Sequence, residues 1–116
     1  MASSQIVEQS YQLAKSVVIL VQQIQNDRRE FLMSKQLLRC GTSVGANISE
    51  AQSAESRSDF IHKLSVSLKE ARETSFWLRL MFDTNYISDK HFNDLHGQTD
   101  AVIRMLTKSI LTMKNK

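Results

Sequence analysis

The stretch IHKLSVSLKEARETSFWLRLMF, residues 61–82, decides the fold. Its apolar and small residues recur alternately three and four positions apart: Ile61, Leu64, Leu68, Ala71, Ser75, Leu78 and Phe82. Side chains at this spacing lie along one face of an α-helix, as in the seam of a helix bundle. Ser56 and Asp59 have the spacing of a capping box just before it. The pattern therefore predicts a long amphipathic helix over about residues 58–83.

Three further segments show helical periodicity, over about residues 4–25, 28–54 and 88–114. The apolar seams are Val7, Ala14, Val17, Val21 and Ile24 in the first segment; Phe31, Leu37, Gly41, Val44, Ile48 and Ala51 in the second; and Phe92, Leu95, Thr99, Val102, Leu106, Ile110 and Met113 in the last.

The predicted helix starts leave only short connections between the helices. Ser3 or Ser4 is the expected N-cap of the first helix, an Asp27–Glu30 capping box that of the second, and Ser88 that of the fourth. Short connections force neighbouring helices to run antiparallel. The sequence therefore predicts an all-α, up-down-up-down antiparallel four-helix bundle, with residues 1–116 as a single domain.

The composition agrees with long helices and excludes several other classes of protein. The 116 residues include no Pro and three Gly, whereas chains of many short strands need both residues in their turns. A hydrophobic fraction of 41% is too high for a disordered chain. The longest apolar run, Val17 to Val21, is too short to span a membrane. Because the chain has one cysteine and its first residues do not resemble a secretion signal, we expect a cytoplasmic protein.

The second predicted helix contains a segment that forms helix poorly. Residues 39–54 read RCGTSVGANISEAQSA, with Gly41 and Gly45 four positions apart among small polar residues. Relative to alanine, these residues cost a helix about 4 kcal/mol, so the segment needs support from its neighbours. We favour close approach of another helix; a kink or π-bulge that presents a polar site is the alternative. A phosphate-binding loop is least favoured, because the lysine and the strand of a P-loop are missing.

Two segments carry more apolar residues than one face of a helix can bury. One lies in the second half of the first helix and the other in the second half of the third, and these helices run parallel in an up-down bundle. Both should therefore lie near one end of the molecule, where we expect other copies of the chain to cover them. The alternative is that the loops and the fourth helix cover them. The candidate interface residues are Val18, Ile19, Leu20, Phe76, Trp77 and Leu80, and Val66 and Met81 also fall outside the seams.

Few residues could carry chemistry. Asp59 and His62 have the i,i+3 spacing used in the di-metal sites of helix bundles, but a complete site needs two such pairs and facing carboxylates. His91 and His96 are five positions apart and point in different directions. Cys40 has no evident base and is expected to fill space in the core. We therefore expect no metal, no cofactor and no catalytic residue.

The net charge is +3, and several cations share helix faces. The candidate nucleic-acid-binding residues are Lys69, Arg72 and Arg79 in the third helix and Arg104 and Lys108 in the fourth. With Phe76 interleaved among them, such cations can meet a nucleic-acid backbone. Glu70 and Glu73 lie close by, so for a monomer a solvated face of mixed charge is the favoured interpretation. In a ring of subunits, the repeated patch would add up to a substantial field.

The region from Gln36 to Ser88 matches the pattern of a known family. The matching positions are Arg39, Ser43, Asn47, Ile48, Glu50, Phe60, Leu64, Leu68, Glu70, Tyr86 and Ile87. In these residues the chain resembles the bacterial four-helix-bundle proteins encoded in intervening sequences of 23S ribosomal RNA genes. It departs from that pattern at Asn26–Asp27, where proline is frequent, and at Ala51, where glycine is frequent.

The resemblance implies a homopentameric ring of bundles, no known catalysis and an undefined biological role. Members carry a ribosomal-protein label, and a similar basic pentamer is the accessory factor of the reverse transcriptase in diversity-generating retroelements. We interpret the motif residues Arg39, Ser43, Asn47 and Glu50 as a structural network, in which Asn47 and Glu50 satisfy buried polar groups or Arg39. The leading hypothesis is a cytoplasmic homo-oligomer that associates with RNA or a nucleoprotein. A scaffold for a protein partner is the second hypothesis and a metalloenzyme the third.

Overall fold

The computed structural model of the protein describes residues 4–116, and this part of the chain forms four α-helices and no strand. The helices are α1 (Ser4–Arg28), α2 (Leu32–Ala51), α3 (Arg57–Asp83) and α4 (Asp89–Lys114). Each helix packs against its neighbours in the chain, and α4 also packs against α1, which closes a bundle of 47 × 20 × 19 Å. The short connections make neighbouring helices antiparallel. The predicted all-α, up-down-up-down four-helix bundle is confirmed.

The connection between α1 and α2 differs from the prediction. α1 continues to Arg28, and Arg29 then takes a left-handed backbone conformation, with φ 54°, that ends the helix. The Glu30 carboxylate accepts hydrogen bonds of 2.9–3.0 Å from three N–H groups in the first turn of α2. Glu30 therefore caps α2 directly. The predicted Asp27–Glu30 capping box, with a helix start at residue 28, is wrong.

The starts of α3 and α4 agree with the prediction. The Ser56 hydroxyl accepts a hydrogen bond of 3.0 Å from the N–H three residues ahead, and Ser88 does the same at 3.2 Å. Both predicted N-caps are confirmed. α2 ends at Ala51, short of the predicted end at residue 54. The predicted cap of α1 lies outside the described part of the chain, which includes neither Ser3 nor the Ser4 side chain.

The buried face of α3 is rotated from the predicted seam. In place of Ile61, Leu68, Ser75 and Phe82, which are half-buried, α3 buries Phe60, Ser67, Thr74 and Met81. The Ser67 hydroxyl donates to the Val44 carbonyl on α2 at 2.8 Å, and the Thr74 hydroxyl donates to the Glu70 carbonyl at 2.8 Å. Because both hydroxyls have acceptors, their burial is tolerable, and their small size lets α2 and α3 approach.

The other three helices bury faces close to the predicted ones. The buried residues are Ile6, Ser10, Leu13, Val17, Leu20, Val21 and Ile24 in α1; Ser34, Leu37, Cys40, Gly41, Val44, Ile48 and Ala51 in α2; and Leu95, Thr99, Val102, Leu106 and Ile110 in α4. Phe31, predicted in the seam of α2, is exposed in the connection before it. Within residues 4–116, no helix is long and apolar enough to cross a membrane.

The two glycines of α2 let α1 approach closely. A Cβ atom at Gly41 would lie 2.8 Å from a methyl group of Val17, and one at Gly45 would lie 3.1 Å from the Ser10 carbonyl oxygen. Neither position has room for a side chain unless α1 moves. The close approach that the sequence favoured is confirmed. Because α2 is α-helical throughout Leu32–Ala51, the π-bulge and the phosphate-binding loop are wrong.

Candidate functional site

The predicted cations lie on two adjacent helices and all of them are exposed. Phe82 of α3 stacks on Phe92 of α4 with ring centroids 4.3 Å apart, which fixes the register of the two helices. From this stack, Arg72 lies about 15 Å back along α3 and Arg104 about 18 Å forward along α4, so the two cations are within one turn of the same level. This exposed surface, the basic face, consists of Lys69, Arg72, Arg79, Arg104 and Lys108.

Carboxylates reduce the charge of the basic face at two points. The Arg79 guanidinium lies 3.9 Å from the Asp83 carboxylate, and both side chains are largely exposed, so the pair is weak. Asp100 lies 3.6 Å from the His96 ring nitrogen. Within residues 4–116, the ion pairs do not include the other cations of the basic face. The basic face therefore keeps an excess of positive charge.

A shallow groove of about 440 Å³ lies on the outer side of α4, within the basic face. Arg104 and Lys108 line it together with Ile103 and Leu111. Leu111 is 56% exposed, so the groove combines apolar surface with two cations. An anionic polymer with apolar parts could contact both kinds of group there.

The apolar residues predicted outside the seams divide into three groups. Leu20, only 4% exposed, belongs to the core, as does Met81. α1 buries Leu20 next to Val21 because it packs against both α2 and α4, which widens its core face. The half-buried residues are Val18, Val66 and Trp77, and the exposed ones are Ile19, Phe76 and Leu80. Phe76 and Leu80 are one turn apart and form a continuous strip on α3.

Tyr11, Leu32 and Leu111 are exposed apolar residues that the sequence did not predict, and the most exposed of them is Leu32. It is 83% exposed at the first position of α2. In a helix, the five residues from Leu37 back to Leu32 correspond to a rotation of about 140°, which places Leu32 away from the seam. That rotation was the signal available in the sequence.

The motif residues have a different set of partners from the predicted one. Arg39 forms ion pairs with Glu70, at 3.1 Å, and with Glu73, both on α3. Asn47 donates to a carbonyl one turn back in its own helix at 2.8 Å, and Glu50 is exposed. A structural network around Arg39 is present: the Ser43 hydroxyl donates to the Arg39 carbonyl at 2.8 Å, and Asn47 satisfies the Ser43 carbonyl, so only the expectation for Glu50 is wrong. The carboxylates come from the neighbouring helix.

Trp77 belongs to the same cluster of contacts. Its indole N–H donates to the Glu73 carboxylate at 3.1 Å. Partial burial lowers the pKa of Arg39, but the hydrogen bond to Glu70 and the charges of Glu73 and Glu70 outweigh burial and raise that pKa above its ordinary value. The guanidinium is therefore charged at every physiological pH. These four residues, Arg39, Glu70, Glu73 and Trp77, are the Arg39 network.

The remaining candidates do not come together as a site. The Asp59 carboxylate accepts a hydrogen bond from the Glu55 N–H, in the connection before α3, and lies 3.6 Å from the Lys63 ammonium, while His62 is exposed. Among residues 4–116, no group of three or more His, Cys, Asp or Glu side chains could hold a metal ion. Cys40 is buried, as the sequence predicts, and burial raises the pKa of its thiol.

The chain is similar to a known protein family and to solved structures. The sequence model of a family described as 23S rRNA-intervening sequence protein matches residues 2–108. A crystal structure from Bacteroides thetaiotaomicron, described as a protein with unknown function from the S23 ribosomal protein family, is 42% identical in sequence. The similarity covers 90% of this chain and 97% of that one, with a TM-score of 0.89. No curated protein matches the chain.

Proposed function

Because the chain belongs to the family of 23S rRNA-intervening sequence proteins, we propose that it is a non-enzymatic, homo-oligomeric bundle that associates with RNA or a ribonucleoprotein through its basic face. The exposure of five cations on the adjacent helices α3 and α4 carries this proposal. Lysine and arginine side chains free of ion pairs bind phosphate groups by displacing counterions, without reading sequence. The partner is therefore recognised by its charge.

Self-association is the second part of the proposal, supported by exposed apolar side chains near one end of the bundle. The Arg28 guanidinium donates to the Asn85 carbonyl at 2.6 Å, so the ends of α1 and α3 lie together. Ile19 on α1 and Phe76 on α3 are exposed towards this end, and α1 and α3 are not adjacent. Two apolar groups that face different directions favour head-to-tail contact, which gives a ring when the rotation between copies closes. A pentamer is the ring size implied by the family resemblance.

A ring would strengthen the binding of RNA. The chain carries a net charge of only +3, which is a weak attraction for one bundle. Repetition of the basic face around an axis would sum these fields and let one RNA contact several copies at once. The two parts of the proposal therefore support each other.

The RNA test uses charge reversal of Arg72 and Arg79. The double variant Arg72→Glu, Arg79→Glu should retain less RNA, and the slope of log affinity against log salt should decrease by about 1.4 to 1.8 if each residue contacts one phosphate. The matched control is Lys15→Glu with Lys35→Glu, which changes the net charge equally on the exposed surfaces of α1 and α2. The proposal is contradicted if both double variants retain equal amounts of RNA and if retention does not depend on the salt concentration.

Self-association is tested by the molar mass of Phe76→Glu in light scattering. Phe76 is 57% exposed, so a carboxylate there should not disturb the bundle, but it should repel an apolar partner surface and yield smaller species. Leu111→Glu is the control. Leu111 is 56% exposed, like Phe76, but it lies near the end of α4, at the opposite end of the bundle. Equal masses for wild type and Phe76→Glu would place Phe76 outside any interface.

A scaffold for a protein partner is the second candidate function. Tyr11 and Leu111 are exposed away from the strip on α3, and such side chains can anchor a protein partner. Affinity capture from the source cell, with and without nuclease, separates the two functions. A partner protein that remains after nuclease treatment favours the scaffold, whereas loss of the captured material favours RNA association.

We also propose that the protein is not an enzyme and that it works in the cytoplasm. The buried Cys40 thiol supports a reducing compartment, and its surroundings lack the exposed, activated character of a nucleophile. Metal analysis of the purified protein tests the first statement. A stoichiometric bound metal would contradict the statement that the protein is not an enzyme and would favour the metalloenzyme hypothesis.

A further inference from the structure

One row of side chains on α4 joins two aromatic rings to the cations of the basic face. Residues four positions apart form a ridge on the surface of a helix, inclined by about 26° to its axis. The α4 ridge consists of Phe92, His96, Asp100, Arg104 and Lys108. Along it, two rings are followed by a carboxylate and then by two exposed cations.

The rings of the α4 ridge belong to a stack that spans two helices. Phe82 of α3 lies against Phe92 with ring centroids 4.3 Å apart and an interplanar angle of 17°. Phe92 lies against His96 at 4.9 Å and 25°. Within residues 4–116 no further ring stacks on His96, whose side chain is 35% exposed. His96 is therefore the outermost ring of the stack.

A flat ring that continued the stack would lie beside Asp100. Each step along the α4 ridge is about one helical turn of 5.4 Å, so the position beyond the His96 ring is level with Asp100. The Asp100 carboxylate lies 3.6 Å from His96 Nδ1 and its side chain is 45% exposed. Because a carboxylate has about four lone-pair positions, it can accept a further hydrogen bond. Arg104 lies one turn beyond it.

We propose that the α4 ridge binds single-stranded RNA: an unpaired base stacks on the outer face of His96, its amino group donates to Asp100, and the adjoining phosphates lie on Arg104 and Lys108. The inference rests on the RNA association through the basic face proposed above. It adds a class of RNA and a preference among bases, neither of which cations alone provide.

The chemistry of the α4 ridge fits a single strand better than a duplex. Unpaired bases stack on histidine and phenylalanine rings, whereas the bases of a duplex already stack on one another. A carboxylate beside the cations repels phosphate groups, so Asp100 would weaken a site that contacted the backbone alone. The edge of an unpaired base supplies the hydrogen-bond donor that a carboxylate needs.

Asp100 determines which base is preferred. Cytosine presents an amino group from which Asp and Glu side chains accept a hydrogen bond. Uracil presents a carbonyl oxygen at the same place, and an ionised carboxylate has only acceptor atoms to offer it. We therefore expect the α4 ridge to prefer cytosine to uracil.

The test measures fluorescence anisotropy of labelled oligocytidine and oligouridine strands and of an RNA duplex of the same length, over a range of salt concentrations. His96→Ala removes the outermost ring. Its matched control is His91→Ala, because His91 is also half-buried on α4 but lies in a groove with Leu20 and Gln23 of α1. His96→Phe restores a ring without the imidazole.

We expect His96→Ala to weaken the binding of oligocytidine about tenfold. The slope of log affinity against log salt should not change in this variant, because a ring displaces no counterions, and duplex binding should stay as in wild type. His91→Ala and His96→Phe should bind oligocytidine as wild type does. Arg104→Gln should instead make the slope shallower by about 0.7, the contribution of one phosphate on a single strand.

The base preference is tested by Asp100→Asn. Wild type should bind oligocytidine about tenfold more tightly than oligouridine, as expected for a hydrogen bond to a charged group. The amide of Asp100→Asn both donates and accepts, so this variant should bind the two strands alike. Equal affinities of wild type for the two strands would overturn the role of Asp100.

The remaining outcomes separate this inference from the proposal beneath it. If wild type binds RNA but His96→Ala and His91→Ala bind oligocytidine equally well, stacking on His96 is overturned and RNA association through the basic face stands. If His96→Ala weakens the binding of duplex and single strand to the same extent, His96 serves the fold alone and the inference is again overturned. A wild-type protein that binds neither RNA at low salt would overturn RNA association, and the inference with it.

Discussion

The two sides of α2 are built in different ways. Towards α1, the helix surface is reduced to Gly41 and Gly45, and the side chains and backbone of α1 fill the space directly. Towards the outer edge of α3, Arg39 reaches across to carboxylates that remain in contact with water. An added atom on the first side must displace α1, whereas solvent can replace a lost group on the second. The α1–α2 contact therefore determines the fold, and the α2–α3 edge is available for binding.

Among the substitutions that test this contrast, Gly41→Val should have the largest effect on stability. The new side chain would begin 2.8 Å from a Val17 methyl group in a fully buried contact, so α1 must shift. We expect the free energy of unfolding to fall by about 3 kcal/mol, as for other overpacked cores. Denaturant unfolding monitored by circular dichroism measures the change.

Gly97→Val is the matched control for this prediction. A Cβ atom at Gly97 would meet no other atom within 4 Å, and the position is exposed on α4. Valine is a better helix former than glycine, so stability should stay unchanged or rise by a few tenths of a kcal/mol. Equal losses of stability from Gly41→Val and Gly97→Val would mean that Gly41 is needed for the geometry of its helix and not for the approach of α1.

A smaller effect is expected on the buried part of the α2–α3 contact. Ser67→Ala removes the hydrogen bond to the Val44 carbonyl, which joins the two helices at 2.8 Å, and should lower the free energy of unfolding by about 1 kcal/mol. Ser65→Ala is the control, because the exposed Ser65 hydroxyl bonds only within its own helix and its loss should change stability by less than about 0.5 kcal/mol. If Ser67→Ala lowered the free energy of unfolding as much as Gly41→Val, the two sides of α2 would not differ in the way described.

The same contrast explains what the sequence could predict. The close approach of α1 and α2 was predictable because glycines inside a helix have few other uses, and the caps at Ser56 and Ser88 were predictable because capping is local. The rotation of α3 was not predictable from pattern, since Ser67 in the core looks like a surface serine until its acceptor on another helix is known. The hydrophobic period alone favoured the neighbouring residues.

The partners of Arg39 escaped prediction for a related physical reason. A contact between helices depends on the rotation and register of both, to within one residue, and the predicted seam of α3 was rotated from the face that the helix buries. Asn47, on the same helix as Arg39, was the local choice. The exposed cations of the basic face needed no such precision, because exposure follows from the average apolar pattern of a helix.

The smallest expected effect is a pH dependence that belongs to the α2–α3 side alone. Burial raises the pKa of the Cys40 thiol above its ordinary value. As pH rises past about 8.5, the unfolded chain releases the thiol proton first, so the unfolded state binds fewer protons than the folded state and stability falls. The free energy of unfolding should therefore decrease from pH 7.5 to pH 9.5 more in wild type than in Cys40→Ala. Equal decreases in both proteins would show that Cys40 does not contribute to the pH dependence.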